Sequence, residues 1–216
     1  MIAPKPKKVP DLIGLESELL RDALGAAAHD LGGIASALAL RVDTLGPASN
    51  SEDRRALGAI AEEARTLGRQ LRQLRGPRGG DLLAPSRPGT LLTWWPLVER
   101  FGRALLGRGL ALEATLDDAP ISPEQSHALT FAMLALARGL RERELPRPGL
   151  VSLTNSRDGN AVVVRMKLTG PAGETIAITA TGDPWARYAR EAAERGGVDI
   201  TSEAPEVVFL LRNPDQ

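Results

Sequence analysis

The chain has 216 residues, 43% hydrophobic and 25% charged, an ordinary composition for a globular protein of one large or two small domains. Its 27 basic and 27 acidic residues balance, which argues against binding nucleic acid through bulk positive charge. The lack of Cys excludes disulfides and thiol chemistry, and the presence of only two His disfavours a His-based zinc site. No apolar run approaches the roughly 20 residues of a membrane span, and the start has no signal-peptide core, so we expect a cytoplasmic protein without membrane partners.

The first predicted element is an antiparallel helical hairpin over 11–76, preceded by a Pro- and Lys-rich tail at 1–10 that is expected to be disordered. Apolar residues recur at helical steps along its first helix, at Leu20, Leu24, Ala27, Leu31, Ile34, Leu38, Val42 and Leu45. A second stripe follows Gly46-Pro47, at Leu57, Ile60, Ala64, Leu67, Leu71 and Leu74. One hairpin leaves half of each stripe exposed, so the pattern predicts a homodimer in which two hairpins form a four-helix bundle.

A Gly- and Pro-rich linker at 77–92 leads into a second predicted domain over 93–214. Three helices are expected: one over 93–106, one that begins at the Ser122-Pro123 cap, and one from Asp183-Pro184 to Gly196-Gly197. The apolar side of the first of these helices is predicted to carry Trp95, Val98, Phe101 and Leu105. Strands are expected over 110–116, 150–155, 161–169, 175–180, 198–202 and 207–212, with a turn signal at Asp158-Gly159. This order predicts an α/β sandwich with helices on one face of a mixed sheet, and an α+β chain as a whole.

His29 is the candidate nucleophile of the first predicted helix. At about 100° per residue it lies roughly 160° from Leu31, on the side away from the apolar stripe. Its helical neighbours are Gly and Ala, which would leave the ring open to the backbone of another protein. An exposed, near-neutral imidazole is a competent nucleophile. The alternative is a surface His in a chain that has 22 Gly and is biased towards small residues.

Asp30 follows His29 directly, and its role has two interpretations. The carboxylate would accept the Nδ1 proton of the imidazole and favour attack through Nε2. It would equally serve as a solvated charge on the helix surface, and the spacing leaves both interpretations open.

His29-Asp30-Leu31, in the middle of the first helix of a heptad hairpin, resembles the H-box of histidine kinases and their dimeric histidine-phosphotransferase relatives. The order of elements after the linker, and the closing stretch AREAAERGGVDITSEAPEVVFLLRNP, are similar to the kinase ATP-binding domain. The resemblance implies that His29 is the phospho-acceptor, assisted by Asp30. It also implies that response-regulator receiver domains dock around it, on a surface formed by Asp22, Gly25, Ala26, Gly32, Gly33 and Ser36.

The second domain departs from the kinase pattern at its nucleotide motifs. The helix from Pro123 has no Asn, where the family carries a Mg²⁺-binding one, and neither MKLTG nor TATGD fits the family's Asp-x-Gly-x-Gly. Few residues separate Ala180 from the helix at Trp185, which leaves no space for a Gly-rich lid. The resemblance therefore implies a degenerate ATPase-like domain that binds no ATP and has no cofactor, with Mg²⁺ supplied by the partner receiver.

Two functions follow from this pattern. The first is a histidine phosphotransferase of a bacterial phosphorelay, which passes a phosphoryl group between receiver aspartates through His29. The second is a non-catalytic, dimeric, pseudokinase-like scaffold that regulates a two-component signalling partner. A scaffold does not need an exposed nucleophile among small residues, and the missing nucleotide motifs argue against a third function, an ATP-dependent kinase.

The remaining candidates have structural interpretations. His127 is expected to be partly buried, Trp94-Trp95 to pack in the core or as an interdomain lid, and Asp117-Asp118 to form a turn rather than a metal site. Arginines recur along the second helix, as a solvated face or a surface for an acidic partner, at Arg65, Arg69, Arg72 and Arg75.

Overall fold

The computed structural model describes residues 14–23, 25, 37, 57, 59–60, 64, 88–107, 109–180, 182–203 and 205–212. The chain divides into two compact units, one made of Met1–Leu19 and Leu83–Gln216 and the other of Leu20–Leu82. Within the second unit, every described residue is helical. The predicted tail, most of the hairpin, most of the linker and the four arginines of the second helix lie outside the described residues, and the dimeric bundle stays a prediction.

Among the described residues from 89 onwards, each helix is followed by two or three strands. We number the helices α1 (14–23), α2 (Leu91–Leu106), α3 (Pro123–Glu142) and α4 (Pro184–Arg195). The strands are β1 (Gly89–Thr90), β2 (Leu110–Thr115), β3 (Pro120–Ile121), β4 (Gly149–Asp158), β5 (Ala161–Thr169), β6 (Thr175–Ile176), β7 (Val198–Glu203) and β8 (Glu206–Leu211). Gly89 and Thr90, which fall within the range predicted as linker, pair with β3.

The main sheet is mixed, as predicted, with the strand order β2-β4-β5-β8-β7. Strand β2 runs parallel to β4, and the other pairs of neighbours are antiparallel. Along β8, buried Val207, Phe209 and Leu211 alternate with half-buried residues, which is the pattern of a sheet with one covered face. The described part of the chain is therefore an α+β structure, and this part of the predicted fold class is confirmed.

The predicted strand at 175–180 is wrong in length, because β6 consists of Thr175 and Ile176 alone. These two residues pair with Thr169 and Leu168 of β5. Two residues further along β5, Met166 already pairs with Val207 of β8. The same edge of β5 is thus occupied, so a longer β6 has no free backbone partner.

Helix α2 begins two residues before its predicted start because Thr90 caps it. The Thr90 hydroxyl accepts a hydrogen bond from the Thr93 amide, and the Thr93 hydroxyl accepts one from the Thr90 amide at 2.9 Å. The buried side of α2 consists of Leu91, Trp94, Val98, Phe101 and Leu105. The prediction of Trp95 on this side is wrong, since Trp95 is half-buried and Trp94 is the core residue.

Trp94 is fixed in the core by a polar contact as well as by packing. Its indole Nε1 donates to the Thr130 hydroxyl of α3 at 2.8 Å, and that hydroxyl donates to the Ser126 carbonyl. A buried indole N–H needs a partner, and Thr130 supplies one.

Helix α3 is buried almost all round, as expected for a helix in the middle of a layer. Ser122 caps it and Pro123 opens it, as predicted. Helix α4 lies antiparallel to α3 and close to it at both ends. A Cβ built on Gly139 would lie 3.1 Å from an Asp183 carboxylate oxygen, and one on Gly196 would meet Ala128. Glycine therefore permits this close approach of the two helices at both points.

The hairpin between β4 and β5 is confirmed with a shift of one residue. Asp158 pairs with Ala161, so the two turn residues are Gly159 and Asn160. Gly159 has φ +57°, a backbone conformation that glycine adopts without steric cost.

Candidate functional site

The predicted phosphotransfer site lies mostly outside the described residues. These residues are His29, Asp30, Ala26, Gly32, Gly33 and Ser36, and their roles stay predictions. Of the predicted docking surface, the structure describes Asp22 and Gly25, both helical. Gly25 is exposed, and a Cβ built on it would meet no atom within 4 Å. The side chain of Asp22 is half-buried.

The apolar face at the start of the first helix differs from the predicted stripe. Leu15, Leu19 and Ala23 are buried at 2%, 0% and 0% exposure, whereas Leu20, the first residue of the predicted stripe, is half-buried. The steps of four residues place the three buried side chains on one helical face. Leu15 and Leu19 belong to the same compact unit as the sheet and α2–α4. The predicted stripe differs from the buried face because it assumes pairing within the hairpin, whereas Leu15 and Leu19 pack within the α/β unit.

Two acidic residues of α1 make contacts with this unit. Glu18 contacts Arg138 of α3 at 3.5 Å, and Glu16 contacts Arg195 of α4 at 3.5 Å. Glu16 also accepts a hydrogen bond from the Tyr188 hydroxyl. Burial of Tyr188 raises the pKa of its phenol above the ordinary value, and the negative charge of Glu16 raises it further.

The same Arg138 belongs to a cluster at the C-terminal end of α3. Its guanidinium pairs with Glu142 at 2.7 Å and lies over the Trp185 ring, 5.4 Å from its centroid. The Trp185 indole donates to the other carboxylate oxygen of Glu142 at 3.0 Å. Trp185 is 2% exposed, so this cluster joins the end of α3 to the start of α4 around a buried aromatic ring.

Arg143, one residue after α3, holds the segment between β6 and α4. One guanidinium nitrogen donates to the carbonyls of Ala177 and Ile178, both at 2.7 Å. The resemblance places a nucleotide lid in this part of the chain. The segment between Ile176 and Pro184 is instead short and bonded to the end of α3.

The positions that the resemblance assigns to nucleotide binding carry structural roles here. Asp183 is the acidic residue of TATGD, and its carboxylate caps α4 by accepting from the Trp185 amide at 2.9 Å. MKLTG contains no carboxylate and ends at Gly170, whose amide donates to the Glu174 carbonyl in the turn before β6. Residues 131–137 of α3, in the stretch without Asn, are all buried.

The other sequence candidates have the expected structural settings. His127 is half-buried, and its ring packs 4.6 Å from that of Phe131. Asp117 and Asp118 lie in the exposed connection between β2 and β3, and the Asp117 amide donates to the Asn155 side chain. Among the described residues, no three His, Asp or Glu side chains are placed so that they could hold a metal ion. No described helix has the length and apolar character required to cross a membrane.

A cavity of about 410 Å³ lies at the opposite, N-terminal end of α3. It is lined by β1, β3, the start of α3, the β4–β5 turn and the end of β8, and two arginines, Arg157 and Arg212, contribute to it. No sequence pattern predicted this cavity. The two arginines are far apart in the chain and come together because β5 pairs with both β4 and β8.

No protein-family model matches the sequence, and no curated protein matches it. Similar solved structures include the blue-light activated histidine kinase of Erythrobacter litoralis EL346, with 12% identity and a TM-score of 0.47, over 76% of this chain and 60% of that chain. The Acinetobacter baumannii histidine kinase AdeS has 13% identity and a TM-score of 0.42, over 85% and 95% of the two chains. A bacterial phosphotransferase has 13% identity and a TM-score of 0.44, over 95% and 98%. Identity at this level assigns no role to any side chain.

Proposed function

We propose that the protein is a cytoplasmic, homodimeric histidine phosphotransferase of a bacterial phosphorelay. The observation that carries the proposal is His29-Asp30-Leu31, placed among small residues on a helix whose apolar stripe predicts a hairpin. His29 accepts a phosphoryl group from the aspartyl phosphate of one receiver domain and passes it to the aspartate of another.

The transfer is an in-line displacement at phosphorus. Nε2 of His29 attacks, the N–P bond forms as the P–O bond to the receiver aspartate breaks, and the aspartate leaves as a carboxylate. Asp30 accepts a hydrogen bond from Nδ1–H and offsets the positive charge that develops on the ring. The second transfer reverses these steps and regenerates the neutral imidazole. Positioning and the Mg²⁺ bound by the receiver supply most of the catalysis, so this chain needs no metal of its own.

The described α/β unit supports a phosphotransferase over an ATP-dependent kinase. Asp183, the acidic residue of the TATGD motif, caps α4, and Arg143 bonds to the segment where the resemblance expects a lid. Neither group is available for a nucleotide without a change in structure. In this proposal the unit binds no ATP and serves as a folded support for the start of the first helix, through Leu15 and Leu19.

The docking surface follows from the same proposal. Asp22 and Gly25 lie at its N-terminal edge, and Gly25 offers an open surface to a receiver. Ala26, Gly32, Gly33 and Ser36 complete it, and the small residues permit close approach of the receiver to the imidazole.

A transfer assay tests this function. Receiver domains from the source organism are charged with radiolabelled acetyl phosphate and mixed with wild-type protein, His29→Ala and His127→Gln. We expect acid-labile label on the wild type and on His127→Gln, and none on His29→Ala. His127 is the matched control because it is the other His of the chain and packs against Phe131.

Two results would contradict the proposal. One is the absence of label on the wild type with every receiver of the panel. The other is equal labelling of the wild type and His29→Ala. Either result favours the non-catalytic scaffold, provided that circular dichroism shows the variants to be folded.

A further inference from the structure

The cavity at the N-terminal end of α3 is distinct from the parts of the chain that the proposed phosphotransfer uses. Its volume of about 410 Å³ falls within the range of roughly 300–1,000 Å³ that is typical of small-molecule sites. The clusters of Trp185 and Arg143 lie at the other end of α3.

The base of the cavity is apolar. Three of its lining residues, Ile121, Val162 and Leu211, are only 3%, 8% and 2% exposed. The parts of these side chains that face the cavity therefore form an apolar floor that belongs to the hydrophobic core. Such a base favours an apolar part of a ligand, since apolar surface is stabilised when it is removed from water.

The mouth of the cavity is polar and positively charged. Arg157, Arg212 and Asn160 line it, and all three are exposed. The two arginines differ in their partners. The Arg212 guanidinium pairs with Asp199 at 2.6 Å, whereas the guanidinium of Arg157 makes no hydrogen bond or ion pair with any of the residues that the structure describes.

This difference leaves one uncompensated positive charge beside an apolar surface. A guanidinium binds a carboxylate, sulfonate or phosphate through parallel N–H donors, and such charge-assisted hydrogen bonds are about twice as strong as neutral ones. Gln125 carries no charge and is already engaged in part, since one of its two amide N–H groups donates to the Arg212 carbonyl and its amide oxygen accepts from the Ser122 amide. The polar recognition therefore depends on Arg157.

We propose that this cavity is a binding site for a small organic anion, with its apolar body against Ile121, Val162 and Leu211 and its anionic group paired with Arg157. The site is independent of His29 chemistry. A ligand without charge loses the pair with Arg157, and an inorganic anion loses the apolar contact.

Anilinonaphthalene sulfonate is a suitable probe because it joins an apolar aromatic body to one sulfonate. We expect it to bind the native full-length chain at one site, and phenylnaphthylamine, the same skeleton without the sulfonate, to bind at least about tenfold more weakly. Arg157→Gln should weaken binding of the sulfonate about tenfold and leave binding of the neutral dye unchanged, because a charged hydrogen bond contributes roughly that factor or more. Fluorescence titration measures all four dissociation constants.

Arg190→Gln is the matched control. Arg190 is also exposed and its side chain has no partner among the described residues, but it lies on α4 and does not line the cavity. Ala161→Leu adds volume at a lining residue and should weaken both dyes. The proposal is wrong if the sulfonate does not bind, if Arg157→Gln and Arg190→Gln have the same effect, or if the neutral dye binds as tightly as the anion.

Discussion

The two ends of α3 use similar residues for opposite purposes. At the C-terminal end, Arg138 and Arg143 both have protein partners, and Trp185 fills the space between α3 and α4. At the N-terminal end, Arg157 has no partner among the described residues, and the space beside it is open.

The difference shows how a charged residue can serve the fold or remain available to a ligand. A guanidinium whose donors are all directed at protein carboxylates and carbonyls holds elements together and has little capacity for further binding. A guanidinium at the mouth of an apolar cavity keeps that capacity. The segment where the kinase resemblance expects a lid is bonded to the C-terminal end of α3, where the chain's own side chains fill the space.

Among the variants that test this comparison, Trp185→Ala should cause the largest loss of stability. The indole is 2% exposed, contacts Arg138 and donates to Glu142, so its loss should reduce the free energy of unfolding by about 3–5 kcal/mol. Urea denaturation measures the change. At the open end, Arg157→Gln should change stability by less than about 0.5 kcal/mol. Comparable losses in the two variants would remove the distinction between a packed and an open end.

High pH should weaken the contact between α1 and α4. The pKa of Tyr188 is raised in the folded protein, so its contribution to stability is complete below the ordinary value of 10.0. Above that pH the unfolded chain ionises first, and the free energy of unfolding should fall by about 1.4 kcal/mol per pH unit until the folded phenol also ionises.

Tyr188 is the only Tyr of the chain, so its ionisation can be followed directly by tyrosinate absorbance. Tyr188→Phe should lose this part of the alkaline transition and retain stability above pH 10.0 relative to wild type. Tyrosinate that forms in the folded wild type at the ordinary pKa would contradict the packing of Glu16 against Tyr188.

A smaller loss of stability than that of Trp185→Ala is expected at Arg143. Arg143→Met keeps most of the side-chain length and removes the bonds to the carbonyls of Ala177 and Ile178, and should cost about 1–2 kcal/mol. Hydrogen exchange of residues 177–183 should become faster in this variant. Arg141→Met is the control, since Arg141 is exposed and its side chain makes no hydrogen bond or ion pair with the described residues. Equal protection of the segment in both variants would show that Arg143 does not hold it.

Local signals predicted most elements of the α/β unit. The Ser122-Pro123 cap, the Asp183-Pro184 start and the strand at β5 appear where capping chemistry and β-branched residues place them. The errors arose where a distant partner decided the outcome. Strand β6 ends early because β8 occupies the edge of β5, and Trp94 rather than Trp95 enters the core, where Thr130 accepts its N–H.

The candidate sites differ in the same respect. The phosphotransfer site is a prediction from His29 and its immediate neighbours, which form a local pattern of a His among small residues on one predicted helix. The anion cavity was not found, because Arg157 and Leu211 become neighbours only when β5 pairs on both of its edges.

The sequence by itself determined the Ser122 and Asp183 caps, and the β4–β5 turn to within one residue, since each depends on residues within a few positions of one another. The tertiary structure alone decided that Leu15 and Leu19 pack with the α/β unit, that Trp185 closes one end of α3, and that a cavity opens at the other. These features depend on contacts between segments far apart in the chain, and neither helical period nor strand alternation encodes which distant segments meet.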